Sequence, residues 1–200
     1  MSINFLPLLI SAISCMVAIS LIRPFAVNIN LVDIPNNRKR HIGNIPLVGG
    51  ISMFVAIVVG LLTTQIDINE QRNLLLAMII VVGVGVLDDH QDLSTRSRIL
   101  THVIAVLVVV IFDSVVLNSL GSIFGLGELK LHTWAIFFTV FSIIGVMNAI
   151  NMSDGIDGLS GFLSLIPLLF ISYFSYIGGH ADYLMVALIV CAALVSFLLF

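Results

Sequence analysis

The chain alternates between long apolar stretches and short polar connections. A helix needs about 20 mostly apolar residues to cross a bilayer, and about seven windows approach that length: 3–22, 47–64, 73–87, 99–117, 134–150, 159–177 and 183–200. None shows the alternation of a barrel strand, and a backbone in hydrocarbon must satisfy its own polar groups. The pattern therefore predicts an all-α, polytopic transmembrane helix bundle, a single membrane domain over residues 1–200. The third window is the short one, and we expect it to borrow a turn from residues 70–72.

Composition excludes an ordinary soluble domain, because 60% of the residues are hydrophobic and only 10% are charged. The mean hydropathy is +1.19. Cys15 and Cys191 both fall within apolar windows and provide neither a disulfide framework nor a metal-binding spacing. Nothing in the composition indicates a nucleic-acid partner, so the partner that it predicts is the lipid bilayer.

Basic residues indicate the orientation of the bundle, because Lys and Arg are enriched in cytoplasmic loops. The connections 23–46, 88–98 and 151–158 would share one side and hold six basic residues, against Arg72 and Lys130 on the other. We therefore expect these connections in the cytoplasm, a plasma (inner) membrane location, and an N-terminus outside the cell, with an uncleaved first span. The same side would hold the acidic residues Asp33, Asp88, Asp89, Asp92, Asp154 and Asp157.

The acidic motif L-D-D-H-Q-D follows the third window directly, where the helix dipole presents partial negative charge. Carboxylates are electrostatically unfavourable there unless a cation compensates them. Asp88, Asp89 and Asp92 together favour a site for a hard cation such as Mg²⁺, with Mn²⁺ as an alternative, and such an ion is usually completed by substrate phosphates. The simpler alternative is a solvated helix end at the membrane surface.

A second polar motif, N-A-I-N-M-S-D-G-I-D-G, lies between the fifth and sixth windows. Asn148 and Asn151 would share a helix face if the fifth helix continues that far. Asp154 and Asp157 alternate with glycines, which permit turns and a close approach of the backbone to a ligand. Polar groups at membrane depth are costly and tend to be functional. The structural alternative is that Asp157 caps the next helix and the glycines only form the turn.

A basic stretch, Arg38, Lys39, Arg40 and His41, precedes the motif P-L-V-G-G. These side chains could follow the topology rule or contact anionic lipid headgroups. Beside a set of carboxylates they could instead hold phosphates during a phosphoryl transfer. The paired glycines Gly49 and Gly50 would let the second helix pack closely against a neighbour.

These motifs, D-I-P-N-N-R-K-R-H with P-L-V-G-G, L-D-D-H-Q-D and N-A-I-N-M-S-D-G-I-D-G-L, resemble the polyprenyl-phosphate N-acetylhexosamine-1-phosphate transferases. The resemblance extends over essentially the whole chain. The most similar branch is the WecA and TagO type, because Asp92 occupies a place where MraY enzymes typically have a lysine. The resemblance implies transfer of GlcNAc-1-phosphate from UDP-GlcNAc to undecaprenyl phosphate, with release of UMP and a requirement for Mg²⁺, as the first membrane step of a cell-surface polysaccharide pathway.

The family motifs also imply roles for individual residues. Asp88 and Asp89 would lie at the metal and the lipid phosphate, Asp154 would be a further metal ligand, and Asp92 and Asp157 would complete the acidic set. Asn148 and Asn151 would shape the substrate pocket, and Arg38, Lys39, Arg40 and His41 would contact phosphates. Asp88 is also a candidate general base, although a phosphate monoester with a second pKa of about 6 is already mostly a dianion at neutral pH.

Members of the family continue beyond a seventh span into further loops, which supply another metal-binding aspartate. We therefore expect this chain to be the N-terminal part of a longer transferase. The alternatives are an MraY-like enzyme for another UDP-sugar and a non-catalytic membrane subunit, with a homodimer also open. A cation transporter is disfavoured, because its acids would lie within the spans and only Asp113 falls inside a window.

Overall fold

The computed structural model describes residues 4–29, 31–33, 45–91, 93–123, 125, 127–153 and 158–200. Its helices are α1 (Leu6–Asn28), α2 (Gly49–Leu62), α3 (Arg72–Gln91), α4 (Thr95–Phe112), α5 (Ala135–Ser153), α6 (Leu159–Gly178) and α7 (Ala181–Leu198). Two short strands, β1 (Val32–Asp33) and β2 (Ile45–Pro46), lie between α1 and α2. Each predicted window overlaps one helix, so the predicted all-α membrane bundle is confirmed.

Within the described residues, six helices are long and apolar enough to cross a membrane. The shorter apolar helix is α2, with 14 residues. At 1.5 Å per residue it extends for about 21 Å. The third window is extended as expected, since α3 begins at Arg72, but it also gains residues at its other end and reaches 20 residues, so that the short helix is α2 instead. The chain is a multi-pass membrane protein, and many of its large apolar side chains are exposed on the outer surface of the bundle, where lipid would cover them.

Several helix ends differ from the hydropathy windows. Asp88 and Asp89 belong to the last turn of α3 rather than following it, and α4 begins at Thr95. Ser94 caps α4, because its Oγ accepts a hydrogen bond of 3.2 Å from the backbone N–H of Ser97. The predicted connection 88–98 is therefore mostly helical. At the other end of α4, Asp113 lies just beyond the helix and accepts a hydrogen bond from the side chain of Asn73.

The best-packed part of the bundle is the contact of α1, α2 and α7. Their facing side chains form one buried apolar cluster around Cys15, Ala56, Ile189 and Ala193. A close approach at Gly60 makes this possible: an added Cβ would lie 2.8 Å from Ile189 Cγ2 and 3.0 Å from Ser11 Cβ. The buried Ser11 hydroxyl donates a hydrogen bond of 3.3 Å to the carbonyl oxygen of Ile189. Small residues at helix crossings are the usual means of close packing in membranes.

The paired glycines at the start of α2 have different surroundings. A Cβ at Gly49 would lie 2.5 Å from Phe197 Cε2 of α7, whereas a Cβ at Gly50 would meet nothing within 4 Å. The predicted close packing is therefore confirmed for Gly49 and wrong for Gly50. Gly49 lets the Phe197 ring lie directly against the backbone of α2.

The two strands hold the ends of segment 34–44 together. β1 and β2 pair antiparallel, with Val32 opposite Pro46 and Asp33 opposite Ile45. The backbone N–H of Leu47 adds a hydrogen bond of 3.1 Å to the carbonyl oxygen of Leu31. Leu31 and Val48 are buried against the α1–α2–α7 cluster. Both ends of this segment are thus anchored at the end of the bundle where α1 finishes and α2 begins.

Candidate active site

A cavity of about 510 Å³ lies at this same end of the bundle; most of its wall is apolar, but it carries charged and polar side chains, and it is called the polar cavity below. Its walls come from the N-terminal parts of α2, α4 and α6 and from the middle and C-terminal parts of α3, α5 and α7. Consecutive helices therefore run in opposite directions, as expected for spans joined by short connections. The polar side chains that line the cavity are Asp88, Arg98, His102, Asn151, Ser160 and Ser164.

An ion pair between α3 and α4 lies in the cavity wall. Arg98 Nη1 is 3.1 Å from Asp88 Oδ2, and the two side chains are 35% and 22% exposed. Arg98 carries a further donor, because its Nε is buried and has no hydrogen-bond partner among the described residues. Buried donors without partners are rare in folded proteins. Because Nε itself is enclosed, only the Nη nitrogens of this 35% exposed side chain can neutralise Asp88 and also donate to an anion in the cavity.

The second acidic residue of the motif occupies a different position. Asp89 is exposed and does not line the cavity, although it has an interaction of its own. Neighbouring residues on a helix point about 100° apart, and here the continuation of α3 to Gln91 turns Asp89 away, so that of the two carboxylates only Asp88 lines the cavity.

The two predicted asparagines are both on α5, which continues to Ser153. Asn151 lines the polar cavity. Asn148 does not, and its side-chain amide lies 3.5 Å from Met152 Sδ. The structure thus brings together Asp88 and Asn151 from the two predicted motifs.

Helix α6 begins with a left-handed residue. Gly158, with φ of 75°, occupies the N-cap position, and Asp157, the cap in the simpler interpretation of the motif, lies outside the described residues. The first turns of α6 then present Ser160 and Ser164 to the cavity. Ser164 also donates a hydrogen bond of 2.9 Å to the carbonyl oxygen of Ser160. Gly161 between them leaves room for Leu198, since an added Cβ would lie 2.5 Å from Leu198 Cδ2.

Sequence reasoning missed four of the lining residues. It took Arg98 only as a topology signal and gave no role to His102, Ser160 or Ser164. The available signal was the spacing on α4: Arg98 and His102 are four residues apart, which places them on one face of the helix. Seven predicted site residues lie outside the described residues and stay predictions: Arg38, Lys39, Arg40, His41, Asp92, Asp154 and Asp157.

The oxygen atoms that line the cavity suit a hard cation. They are the carboxylate of Asp88, the amide oxygen of Asn151 and the hydroxyls of Ser160 and Ser164. Among the described residues, no group of three or more acidic, histidine or cysteine side chains is placed to enclose a metal ion. A Mg²⁺ ion bound here by these residues would thus depend on phosphate oxygens or water for much of its coordination shell.

An apolar cavity of about 400 Å³ adjoins the polar one. It lies between α3, α4 and α5, and every residue lining it is apolar. Val81 of α3 and Met147 of α5 line both cavities. The two spaces are therefore neighbours, with the polar one at the end of the bundle and the apolar one deeper between the spans.

Fold and site together define the class: an all-α multi-pass membrane protein with a charged cavity at one end of its bundle. Residues 72–200 match the model of glycosyl transferase family 4. Since this match covers more than half of the chain, the protein belongs to that family. The resemblance inferred from the motifs is confirmed.

Several curated relatives are similar to this chain, and each carries the name undecaprenyl-phosphate alpha-N-acetylglucosaminyl 1-phosphate transferase. The protein from Salmonella typhi is 38% identical over 126 residues, which is 62% of this chain and 34% of the relative. The protein from Escherichia coli strain K12 is 35% identical over 123 residues, which is 60% of this chain and 33% of the relative. A shorter match, 48% over 50 residues, relates the chain to the protein from Pasteurella multocida. The first two matches span about a third of the relatives' length.

Proposed function

We propose that the protein transfers GlcNAc-1-phosphate from UDP-GlcNAc to undecaprenyl phosphate and releases UMP. The observation that carries the proposal is the pair of adjoining cavities, one polar and one apolar, within a chain of this family. A lipid phosphate has a charged head joined directly to an apolar chain, and the two neighbouring spaces suit those two parts. The names of the relatives support the same substrates.

In the proposed reaction, an oxygen of the lipid phosphate attacks the β-phosphorus of UDP-GlcNAc. A new P–O bond forms the lipid-linked pyrophosphate, and the bond to the oxygen shared with the α-phosphorus breaks. UMP leaves with that electron pair. The lipid phosphate has a second pKa of about 6 and needs no strong base at neutral pH. We therefore assign Asp88 a role in holding the reacting groups rather than in removing a proton.

Charge is the main difficulty of this reaction, because a phosphate must approach a pyrophosphate. Arg98 supplies positive charge at the cavity wall, and its Nη groups can donate to a phosphate oxygen. A bound Mg²⁺ would supply further positive charge for the phosphate groups. Asp88 would hold this ion, with Asp154 as a further predicted ligand, and Asn151 would orient the donor. Asp89, the third metal ligand that the motifs predicted, does not line the cavity.

We also propose that the site faces the cytoplasm from the plasma membrane. In the sequence, the segments 23–46, 88–98 and 151–158 contain six basic residues, against Arg72 and Lys130 in the others, which fits the usual enrichment of Lys and Arg on the cytoplasmic side. UDP-sugars are available on that side. A cytoplasmic site is therefore the orientation that the proposed UDP-sugar substrate requires.

The test is UMP release from UDP-GlcNAc by the full-length protein in membranes containing undecaprenyl phosphate. We expect release with Mg²⁺, loss of release with EDTA, and loss with the Asp88→Asn variant. Asp67→Asn is the matched control, because Asp67 is an exposed acidic residue at the opposite end of the bundle. No release with UDP-GlcNAc, or equal release with EDTA, would contradict the proposal. Release from a different UDP-sugar alone would instead identify another member of the same reaction class.

A further inference from the structure

The α4 face that borders the two cavities changes from charged to apolar along its length. Arg98 lines only the polar cavity, and Ala105, Val106 and Val109 line only the apolar one. His102 stands between them, four residues after Arg98 and three before Ala105, and it lines the polar cavity. At 1.5 Å per residue, His102 lies about 6 Å deeper in the bundle than Arg98.

The other two walls also change from polar to apolar. On α3, Asp88 belongs to the polar cavity, and Val81, two turns away, lines both cavities. On α5, Asn151 belongs to the polar cavity, and Met147, one turn away, lines both. His102 and Asn151 are thus the hydrogen-bonding side chains nearest the boundary, and His102 is the one on the helix whose next lining residues border only the apolar cavity.

The boundary between the polar and the apolar cavity suits one particular part of an amphipathic acceptor. In a polyprenyl phosphate the phosphate is bonded directly to the first carbon of the apolar chain. A group that binds this phosphate must therefore lie where polar and apolar spaces meet. A nucleotide sugar has no such chain and is suited to the outer, more polar part of the cavity.

We propose that His102 binds the phosphate of the lipid acceptor and so makes the site select a phosphorylated lipid over its alcohol. An imidazole ring carries an N–H donor in either protonation state, so the contact requires no particular charge on His102. The inference rests on the proposed function, because it assumes that the apolar cavity receives a lipid chain.

The test measures binding without the sugar donor. The probes are farnesyl phosphate and farnesol, which share a short isoprenoid chain and differ in the phosphate, titrated into the full-length protein in detergent micelles. Since a hydrogen bond to a charged group is worth about 1.5–3 kcal/mol, we expect His102→Leu to weaken binding of the phosphate by about 10- to 100-fold. Binding of farnesol should change little. His102→Gln, which keeps a donor, should recover most of the phosphate preference.

Thr101→Ala is the matched control, because Thr101 is the neighbouring polar residue on α4 and lines neither cavity. Its hydroxyl donates within the helix, to the carbonyl oxygen of Ser97 at 2.9 Å. In turnover assays His102→Leu should raise the KM for the lipid phosphate and leave the KM for UDP-GlcNAc unchanged.

Two results would overturn the inference. In one, the preference for farnesyl phosphate survives in His102→Leu; in the other, both ligands weaken equally, as a structural defect would cause. The proposed function fails separately, when the wild-type protein binds farnesyl phosphate through His102 but releases no UMP from UDP-GlcNAc. If the wild-type protein releases UMP but His102→Leu still prefers farnesyl phosphate to farnesol, the inference about His102 is wrong and the proposed function is retained.

Discussion

The crossing at Gly60 gives a stability prediction whose size follows from three distances. A Cβ there would lie 2.8 Å from Ile189 Cγ2, 3.0 Å from Ser11 Cβ and 3.4 Å from Ser11 Oγ. Carbon atoms in good contact are about 3.5–4.0 Å apart. Gly60→Ala therefore requires α1 or α7 to move away from α2 by roughly 0.5–1 Å. The Ser11 Cβ is fixed to the backbone of α1, so a change of rotamer cannot relieve that contact.

The expected cost combines two destabilising contributions and one stabilising contribution. Overpacking a tight contact typically costs about 1–3 kcal/mol, and the same movement weakens the buried hydrogen bond from Ser11 to the Ile189 carbonyl, worth about 1 kcal/mol. Replacing glycine by alanine in a helix returns about 1 kcal/mol. The net destabilisation is about 1–3 kcal/mol. For a chain of this size, each kcal/mol lowers Tm by about 2–4 °C.

The two cysteines provide the assay. Cys15 and Cys191 are both buried, on the helices that meet α2 at this crossing. A thiol-reactive fluorescent dye in detergent should therefore report unfolding of this part of the bundle as the temperature rises. Gly83→Ala is the matched control, because a Cβ at Gly83 of α3 would meet nothing within 4 Å. We expect Gly83→Ala to be neutral or stabilising, and equal Tm values for the two variants would refute the packing argument.

Two further variants test the walls of the polar cavity. Arg98→Gln should lower kcat/KM for UMP release at least about tenfold, because it removes a charge-assisted contact worth about 1.5–3 kcal/mol. Arg96→Gln is the control on an exposed residue of the same helix, and it should leave kcat/KM unchanged in the same assay. Gly49→Ala should displace the Phe197 ring, which lines the cavity, and raise the KM for UDP-GlcNAc severalfold. Gly50→Ala should leave this KM unchanged, and similar effects of the two glycine variants would contradict the assigned contact.

Hydropathy alone was enough to locate every helix, because a bilayer-spanning segment must be both long and apolar. It failed at the helix ends, where charged residues lower the hydropathy of a window without interrupting the helical hydrogen bonds. Asp88 and Asp89 show this most clearly, since both continue α3 beyond its apolar window. The length of α2 was missed for the opposite reason: 47–64 contains no charged residue, but the helix occupies only Gly49–Leu62.

Part of the site was predicted from the sequence, and the rest depends on how the helices pack against one another. Asp88 and Asn151 could be identified from their motifs because polar residues at membrane depth stand out. Their meeting in one cavity depends on the antiparallel packing of α3, α4 and α5, which motifs alone do not specify. Arg98 and His102 were overlooked because a basic residue near a membrane surface has an ordinary topological explanation. Only the ion pair with Asp88 shows that Arg98 also belongs to the cavity.

The buried apolar cluster and the polar cavity lie in different parts of this bundle, so variants of the two parts should have different effects. The buried apolar cluster draws on α1, α2 and α7, whereas the polar lining comes from α3, α4, α5 and α6. Only Ala77 is buried on α3, and α3 packs mainly against α4, with few contacts to α2 at the edge of the cluster. A variant in the cluster should therefore lower Tm at unchanged KM, and a polar variant in the cavity should change KM or kcat at unchanged Tm. A variant of Gly49 should affect both Tm and KM, because Phe197 of α7, which lies against Gly49, also lines the polar cavity.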